Sequence, residues 1–257
     1  MVNILTRIAM PAIARLDWES DHFGFLVAQP ANSDLSDADL AATLRLARSE
    51  GVRLLVFPAP DGREVPRELL DEFAGTLVDR KATFCRQFVW TANDRARAEV
   101  QPSVVPYTAA TVSTDLGELA ISAGAYSRFH VDSHFSNEKF EAMYRRWIER
   151  SVTGDMADVV LVVPLNREGA THGRLGGMIT LSESAGVASI GLIAVAAEVR
   201  GAGIGSTLMR AAHLWMRDRN AREAQVVTQL ANLPACRLYE RAGYRLSRAQ
   251  HFFHFWL

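Results

Sequence analysis

The chain has 257 residues, of which 49% are hydrophobic and 22% charged, and its formal net charge is −1. This composition excludes global disorder and an electrostatic preference for nucleic acid, and it allows one large or two modest domains. Cys85 and Cys236 are too few for a disulfide framework, which favours a reducing compartment. No apolar run is long enough to span a bilayer, and the first residues lack the apolar core of a signal peptide. We therefore expect a cytoplasmic protein that binds neither nucleic acid nor a membrane.

In the first hundred residues, predicted strands and helices alternate. Ser36 and Asp39 make a variant of the helix-capping box, and apolar residues then recur at helical spacing until Gly51. Strands are predicted over 25–28, 52–57, 76–78 and 83–90, and a second helix over 66–73. The polar stretch 92–106 carries two prolines and separates an amino-terminal α/β domain, 1–100, from a second domain, 106–257.

The second half carries longer amphipathic helices between apolar strands. Helices are predicted over 112–125, from a Ser136 cap to Gly154, over 204–219 and from an Asn232 cap to Arg241. Strands are predicted over 159–163, 175–181, 189–195, 223–230, 244–246 and 251–256, the last two as a pair. This order predicts an α/β fold with a mixed sheet. The edge that residues 251–256 would expose could pair two subunits, which makes a homodimer a hypothesis.

The most informative stretch joins an apolar strand to a helix through glycines. Residues 195–206 read Val-Ala-Ala-Glu-Val-Arg-Gly-Ala-Gly-Ile-Gly-Ser. Glycine lets the backbone approach a ligand closely, and the first turn of a helix offers unpaired N–H groups and partial positive charge. Residues 200–206, here called the glycine loop, are therefore predicted to bind a phosphate group.

Two common phosphate-binding motifs do not fit the glycine loop. No lysine follows it, as a nucleoside-triphosphate P-loop requires. The strands before it are expected to be antiparallel, and no acidic residue stands at the ribose position of a following βαβ unit, as a dinucleotide fingerprint requires.

The loop instead resembles the acyl-CoA loop of the GNAT superfamily of N-acetyltransferases, whose pattern is Arg/Gln-x-x-Gly-x-Gly/Ala. Here it reads Arg-Gly-Ala-Gly-Ile-Gly over 200–205, and it follows a strand that ends Leu-Ile-Ala-Val over 192–195. Residues 232–244, Asn-Leu-Pro-Ala-Cys-Arg-Leu-Tyr-Glu-Arg-Ala-Gly-Tyr, are similar to the family's Asn-x-x-Ala-x-x-x-Tyr segment. The resemblance covers about the last 150 residues and implies a GNAT fold, acetyl-CoA as co-substrate and no metal.

The resemblance also implies roles for single residues. The strand end would offer backbone N–H groups to the thioester carbonyl and to pantetheine, and the glycine loop would hold the pyrophosphate. The residues concerned are Ala194, Val195, Arg200, Gly201, Ala202, Gly203, Ile204, Gly205 and Ser206, with Asn232 either contacting CoA or capping a helix. Tyr239 would protonate the leaving thiolate, or it is a tyrosine of the core. Cys236 could carry an acyl group, although packing in the helix is its simpler role.

A narrower resemblance extends over nearly the whole chain. Residues 127–129, Asp132 and the segment 144–151, together with Leu-Asp-Trp-Glu-Ser-Asp-His-Phe-Gly over 16–24, are similar to the dTDP-fucosamine acetyltransferase group. That group acetylates the 4-amino group of a dTDP-linked 4-amino-4,6-dideoxyhexose. It also has a smaller, incomplete GNAT-like amino-terminal domain. The chain departs from the group at 132–134 and in its longer linker.

Candidate acceptor-binding residues follow from this resemblance and from side-chain chemistry. Trp18, Phe23 and Phe129 could stack on thymine or wall the sugar pocket, or they belong to the core. Arg128 could pair with the diphosphate, or with Asp132 or Glu138. The amine could lose its proton to His130, His134, Glu183 or water.

Other acceptors and one other class of function stay open at this point. A protein N-terminus, a small amine or an aminoglycoside would use the same chemistry. A CoA-binding sensor without turnover would keep only the binding site.

Overall fold

A computed structural model describes residues 12–91, 104–165 and 173–257. The chain divides into two units, one formed by the described residues up to Arg80 with Gln250–Leu257, and the other by Lys81–Ala249. The predicted domain boundary, 92–106, lies inside the second unit, and all of it but 104–106 lies outside the described residues.

The first unit contains short strands and three helices in its described part. The strands are β1 (Ile13–Arg15), β2 (Val27–Pro30), β3 (Leu54–Pro60), the start of β4 (Gly75–Gln87) and the end of β10 (Arg245–Trp256). The helices are α1 (Asp17–Phe23), α2 (Asp37–Ser49) and α3 (Arg67–Glu72). The strand order is β1-β2-β3-β10-β4; β2 and β3 are parallel, and β1 and β10 are antiparallel to their partners β2 and β3. Leu40, Leu44 and Phe57 are among the fully buried residues of its core.

The second unit has a mixed sheet with helices, as the alternation of elements predicts. Its strand order is β4-β9-β8-β7-β6-β5, with β5 (Val105–Pro106), β6 (Val159–Pro164), β7 (Leu175–Ser184), β8 (Val187–Val195) and β9 (Glu223–Gln229). Its described helices are α4 (Thr114–Ala123), α5 (Arg128–Val131), α6 (Asn137–Val152), α7 (Ile204–Asp218) and α8 (Leu233–Arg241). Of the pairings recorded in this unit, only β8 with β9 is parallel.

Helix starts in both units are fixed by side-chain caps. The hydroxyl groups of Ser36, Ser113 and Ser136 each accept a hydrogen bond from the backbone N–H three residues later, at distances from 3.1 to 3.3 Å. Two of these caps, Ser36 and Ser136, are predicted from the sequence and confirmed.

One face of the second sheet is covered by α7 and α8. Leu208, Met216 and Tyr239 of these helices pack with Ile179 and Val226 of the strands in one buried cluster. All five residues are at most 2% exposed, so α7 and α8 are held against the sheet by a dry apolar interface.

The strand predictions are wrong at two places. The segments predicted as 76–78 and 83–90 form one strand, β4, and the two segments predicted near the end of the chain form one strand, β10. β10 also does not form an exposed edge, because residues 250–256 pair with 54–60 of β3 and β4 follows on the other side. The argument for a homodimer through this edge therefore does not hold.

Within the described ranges, no helix has both the length and the apolar character needed to cross a membrane.

Candidate active site

The site begins with a bulge in β8. Ile179 pairs with Ile193 and Leu181 pairs with Ile190, so two residues of β8, Gly191 and Leu192, stand opposite Thr180. The Thr180 hydroxyl accepts the N–H of Leu192 at 2.8 Å. An extra residue reverses the alternation of a strand. The bulge therefore turns Ile193 to the same face of the sheet as Ile190, towards α7 and α8.

Beyond the bulge, β8 runs on while its pairing with β9 ends. The parallel register extends from Val187 opposite Glu223 to Ile190 opposite Val226. Residues 191–195 continue as strand with recorded partners on β7 alone. The backbone N–H groups on the β9 side of this strand end are therefore available to a ligand, while Val195 O accepts from Arg200 Nε, and Ile193, Ala194 and Val195 line a cavity there.

The glycine loop leads from this strand end into α7. Gly201 and Gly203 both have φ of 82°, in the left-handed region that glycine adopts without strain. The first helical hydrogen bond runs from Thr207 N to Gly203 O, so the N–H groups of Ile204, Gly205 and Ser206 have no intrahelical acceptor. Since α7 has 15 residues, its N-terminus also carries a partial positive charge.

These elements line an open cavity of about 800 Å³. It is lined by Ser122, Ala123, Ala125, Tyr126, Ile193, Ala194, Val195, Arg200, Gly201, Gly203, Ile204, Gly205, Ser206, Asn232, Pro234, Ala235, Leu238 and Arg241. Every predicted cofactor-binding residue except Ala202 is in this set. The structure thus brings together the strand end, the glycine loop and the start of α8.

Asn232 has the capping role that the sequence allows, and it also lies on the cavity. Its side-chain oxygen accepts the N–H of Ala235 at 3.2 Å and so caps α8, and the residue also lines the cavity. The cap leaves the side-chain NH₂ group as a donor for a ligand.

Tyr239 lies on the other side of α8. Pro234, Ala235, Leu238 and Arg241 share the face that lines the cavity, whereas Cys236 and Tyr239 point into the core. Tyr239 is 2% exposed, and its ring lies 5.9 Å from that of Phe84. Burial, followed by the neighbouring Tyr244 and Cys236, raises the pKa of Tyr239 well above its usual value of 10, so the phenol is protonated at neutral pH.

Four cavity residues at the end of α4 are absent from the sequence prediction: Ser122, Ala123, Ala125 and Tyr126. Tyr126 is 41% exposed and is the only phenol among the lining residues in the described chain. Its position in the sequence could have indicated this role. Tyr126 follows the point where the helical spacing of apolar residues ends, so it does not belong to the apolar face of that helix. Arg241 is also new to the site.

The residues predicted around α5 do not line the cavity. Phe129 is buried against Phe135, with ring centroids 5.5 Å apart, and the Arg128 guanidinium lies 4.4 Å from the centre of the Phe129 ring. His130 is exposed, beside Phe140 at 4.7 Å. The Asp132 carboxylate accepts from the backbone N–H of His134, and the His134 ring nitrogen Nδ1 lies 2.8 Å from the same oxygen.

Glu183 lies at the opposite end of β8 from the cavity. It pairs with Ala188, seven residues before Val195, which is about 23 Å along a strand. Its carboxylate accepts the N–H of Gly186 in the turn between β7 and β8. The structure therefore does not bring Glu183 to the site.

Trp18 and Phe23 belong to the first unit, on α1, a helix that the sequence analysis does not predict. Phe23 is 4% exposed and stacks on Phe25 at 5.9 Å, and Trp18 is half-buried. No cluster of histidine, cysteine and carboxylate side chains suited to a metal occurs among the residues that the structure describes.

Comparison with known proteins identifies the fold. A model of the acetyltransferase (GNAT) family matches residues 125–244. A GCN5-related N-acetyltransferase from Sphaerobacter thermophilus is 14% identical, with a TM-score of 0.57 over 96% of this chain and 76% of that one. A tandem GNAT protein from the clavulanic acid biosynthesis pathway is 12% identical, with a TM-score of 0.52 over 90% of this chain and 75% of that one. No curated protein matches the sequence.

The matched residues, 125–244, include the bulged strand, the glycine loop, α7 and α8, which together form most of the cavity. The chain therefore has the GNAT fold, and the residues of its second unit that form most of the cavity match the model of the acetyltransferase (GNAT) family.

Proposed function

We propose that this protein transfers an acetyl group from acetyl-CoA to the amino group of a small acceptor. The observation that carries the proposal is the cavity in which an unpaired strand end meets the N-terminus of α7 through the glycine loop. This arrangement offers hydrogen-bond donors to an acyl carbonyl and to a pyrophosphate in one cavity.

The pyrophosphate would lie on the glycine loop. The N–H groups of Ile204, Gly205 and Ser206 can donate to its oxygens, and Arg200 adds positive charge at the rim of the cavity. The Arg200 Nε already donates to Val195 O at 3.2 Å, which keeps the guanidinium beside the strand end.

When bound, acetyl-CoA supplies an activated acyl thioester. The strand end of β8 would donate backbone N–H groups to the carbonyl oxygen as the amine attacks. The attack forms a C–N bond, breaks the C–S bond and leaves a thiolate that takes up a proton. The amine, which must be neutral to attack, gives its proton to solvent, since none of the described lining residues is Asp, Glu or His.

Two phenols can serve as the proton donor to the thiolate. We propose Tyr239, which stands at the family's motif position and is protonated at neutral pH. It faces the core, so its hydroxyl must reach the thiolate between α8 and the sheet. Tyr126 is the alternative, because its side chain lines the cavity.

For the acceptor we propose a dTDP-linked 4-amino-4,6-dideoxy sugar. Of the residues that the resemblance assigns to it, we propose Arg128 and His130, which lie outside the cavity and keep accessible side chains, whereas Phe23 and Phe129 are buried and Trp18 belongs to the first unit. Support comes from the similarity of residues 16–24 and 127–151 to the dTDP-fucosamine acetyltransferase group. The cavity itself is lined by uncharged groups and two arginines, which suits a neutral sugar with a phosphorylated carrier.

The test is a thiol-release assay with acetyl-CoA and three kinds of amine: dTDP-amino sugars, an aminoglycoside and a peptide with a free N-terminus. Turnover of a dTDP-amino sugar, with the N-acetyl product seen by mass spectrometry, is the expected result. Turnover of the peptide or the aminoglycoside alone would contradict the proposed acceptor and support the proposed reaction. Binding of acetyl-CoA without thiol release for any amine would favour a CoA-binding sensor.

A further inference from the structure

Arg86, on β4, contacts both helices that form the cavity wall, although it does not line the cavity itself. Its Nη1 donates to Ala242 O at 2.5 Å, and the same nitrogen lies 3.4 Å from Nδ1 of His213. His213 belongs to α7, and Ala242 is the residue at which α8 ends. A single guanidinium group therefore links α7 to the C-terminus of α8.

The contact with α8 is electrostatically favourable. The last carbonyl groups of a helix have no intrahelical donor and carry partial negative charge, which a cation stabilises. Gly243 follows with φ of 86°, and a Cβ placed there would lie 3.3 Å from both Cζ and Nη1 of Arg86. The guanidinium thus packs directly against the turn that ends α8.

The contact with α7 needs a neutral histidine. Burial and the nearby Arg86 charge lower the pKa of His213 from 6.5 to about 4, so its ring is neutral at pH 7 and Nδ1 can accept from Arg86. Aromatic rings enclose the pair: Phe88 lies 4.8 Å beneath the guanidinium, and Tyr244 stacks on the imidazole at 5.8 Å. In the described residues, the Nε2 atom of His213 has no hydrogen-bond partner, so Arg86 is the polar contact that holds this ring.

The two helices meet again at the cavity. A Cβ at Gly205 would lie 3.4 Å from Cδ2 of Leu238, so the first turn of α7 and the cavity face of α8 are in van der Waals range there. Both residues line the cavity. A shift of α8 relative to α7 would therefore change the width of the cavity directly, and rigid helices carry such a shift from one end to the other.

We propose that Arg86 is a positioning residue for acetyl-CoA: by tying the C-terminus of α8 to His213 of α7, it sets the width of the cavity between these helices. This inference rests on the proposed function for the identity of the ligand. It places a residue of β4 in a binding role although its side chain does not reach the ligand.

The test compares Arg86→Gln with Arg222→Gln in the full-length protein. Arg222 is a matched control, because it too donates to a turn carbonyl, Ala185 O at 3.2 Å, and packs against a glycine of positive φ, Gly186. We expect Arg86→Gln to raise the Kd for acetyl-CoA, measured by calorimetry well below the melting temperature, about tenfold. Arg222→Gln leaves the Kd within twofold of the wild-type value.

Arg86→Lys is a second variant for the same measurement of the Kd if Arg86→Gln does not fold. One ammonium group can contact Ala242 O or His213, but its shape does not span both as a guanidinium does, so an intermediate Kd is expected. In turnover assays the KM for acetyl-CoA should rise while kcat at saturation changes less than threefold. A rise in KM without a comparable fall in kcat distinguishes a positioning role from a general loss of folded enzyme, which would lower kcat.

Three outcomes would overturn the inference: a wild-type Kd in the folded Arg86 variants, an equal loss of affinity in Arg222→Gln, or no binding of acetyl-CoA by the wild-type protein. The last result would also remove the proposed function. Binding that depends on Arg86, in a protein that acetylates none of the amines, would keep the inference and overturn the proposed reaction.

Discussion

The turn before β8 and the loop after it each contain a glycine of positive φ, and the two glycines have opposite surroundings. Gly186, between β7 and β8, has φ of 87°, and Gly203, before α7, has φ of 82°. A Cβ at Gly186 would lie 2.8 Å from Nε of Arg222, and the Glu183 carboxylate accepts the N–H of Gly186. At Gly203 no heavy atom lies within 4 Å of the same position.

The difference separates a turn that the protein's own side chains fill from a turn whose backbone groups face a cavity. In the turn at Gly186, side chains of the protein satisfy the backbone and fill the space beside it. In the glycine loop the N–H groups of Ile204, Gly205 and Ser206 are not used by the helix, and the space beside them belongs to the cavity. Positive φ at a glycine is thus weak evidence for a ligand, whereas unused N–H groups facing a cavity are strong evidence.

Gly203→Asp should make the glycine loop resemble the turn at Gly186. It has the largest expected effect on the affinity for acetyl-CoA. Aspartate tolerates positive φ better than most residues, and its carboxylate can accept the N–H groups at the start of α7. It would then occupy the place proposed for pyrophosphate and repel it. We expect the Kd for acetyl-CoA to rise about a hundredfold, by calorimetry, with little loss of thermal stability.

Gly186→Ala is the control at the other end of the strand. The added methyl group meets Arg222 and takes up a strained φ, so the free energy of unfolding should fall by about 1–2 kcal/mol while the Kd stays unchanged. Tight binding of acetyl-CoA by folded Gly203→Asp would contradict the assignment of the glycine loop to the pyrophosphate.

Local sequence signals were sufficient to predict much of the fold and the position of the glycine loop between a strand and a helix. Ser36, Ser136 and Asn232 cap helices as expected, because a capping side chain bonds to a backbone group only three residues away. The glycine loop could be predicted for the same reason: a strand, glycines and a helix start follow each other directly in the chain.

What the sequence did not predict depends on distant partners. The helix α8 has two faces, and only the packing of Tyr239 against Phe84 of β4 shows which one meets the core. Glu183 was a candidate base by chemistry alone, and the register of β7 with β8 places it about 23 Å from the site. The joining of two predicted segments into β10 likewise depends on pairing with β3, nearly 200 residues earlier.

The proposed reaction needs a proton donor for the thiolate, and a pair of conservative variants identifies it. If Tyr239 protonates the thiolate, Tyr239→Phe should lower kcat about a hundredfold and leave the Kd for acetyl-CoA unchanged. Tyr126→Phe should then change kcat less than threefold. Steady-state rates with calorimetric binding constants check both.

The reverse pattern would assign the role to Tyr126, the phenol on the cavity wall. Wild-type kcat in both variants would show that the thiolate is protonated by solvent. Tyr239→Phe keeps the ring that packs against Phe84 and removes only the hydroxyl, so a large loss of stability is not expected.

Substitutions of Glu183 have the smallest expected effects. They test the end of β8 that begins at the turn containing Gly186. Glu183→Ala removes the carboxylate that accepts the N–H of Gly186 and leaves that backbone group to water, which should lower the free energy of unfolding by about 1 kcal/mol. In Glu183→Gln the amide oxygen can still accept, so about half of this loss should return. Urea unfolding midpoints measure both.

Because the residue lies about 23 Å from Val195, kcat and the Kd for acetyl-CoA should stay within twofold in either variant. A tenfold fall in kcat would instead indicate that Glu183 is the general base. The contrast between the turn at Gly186 and the glycine loop would then be wrong.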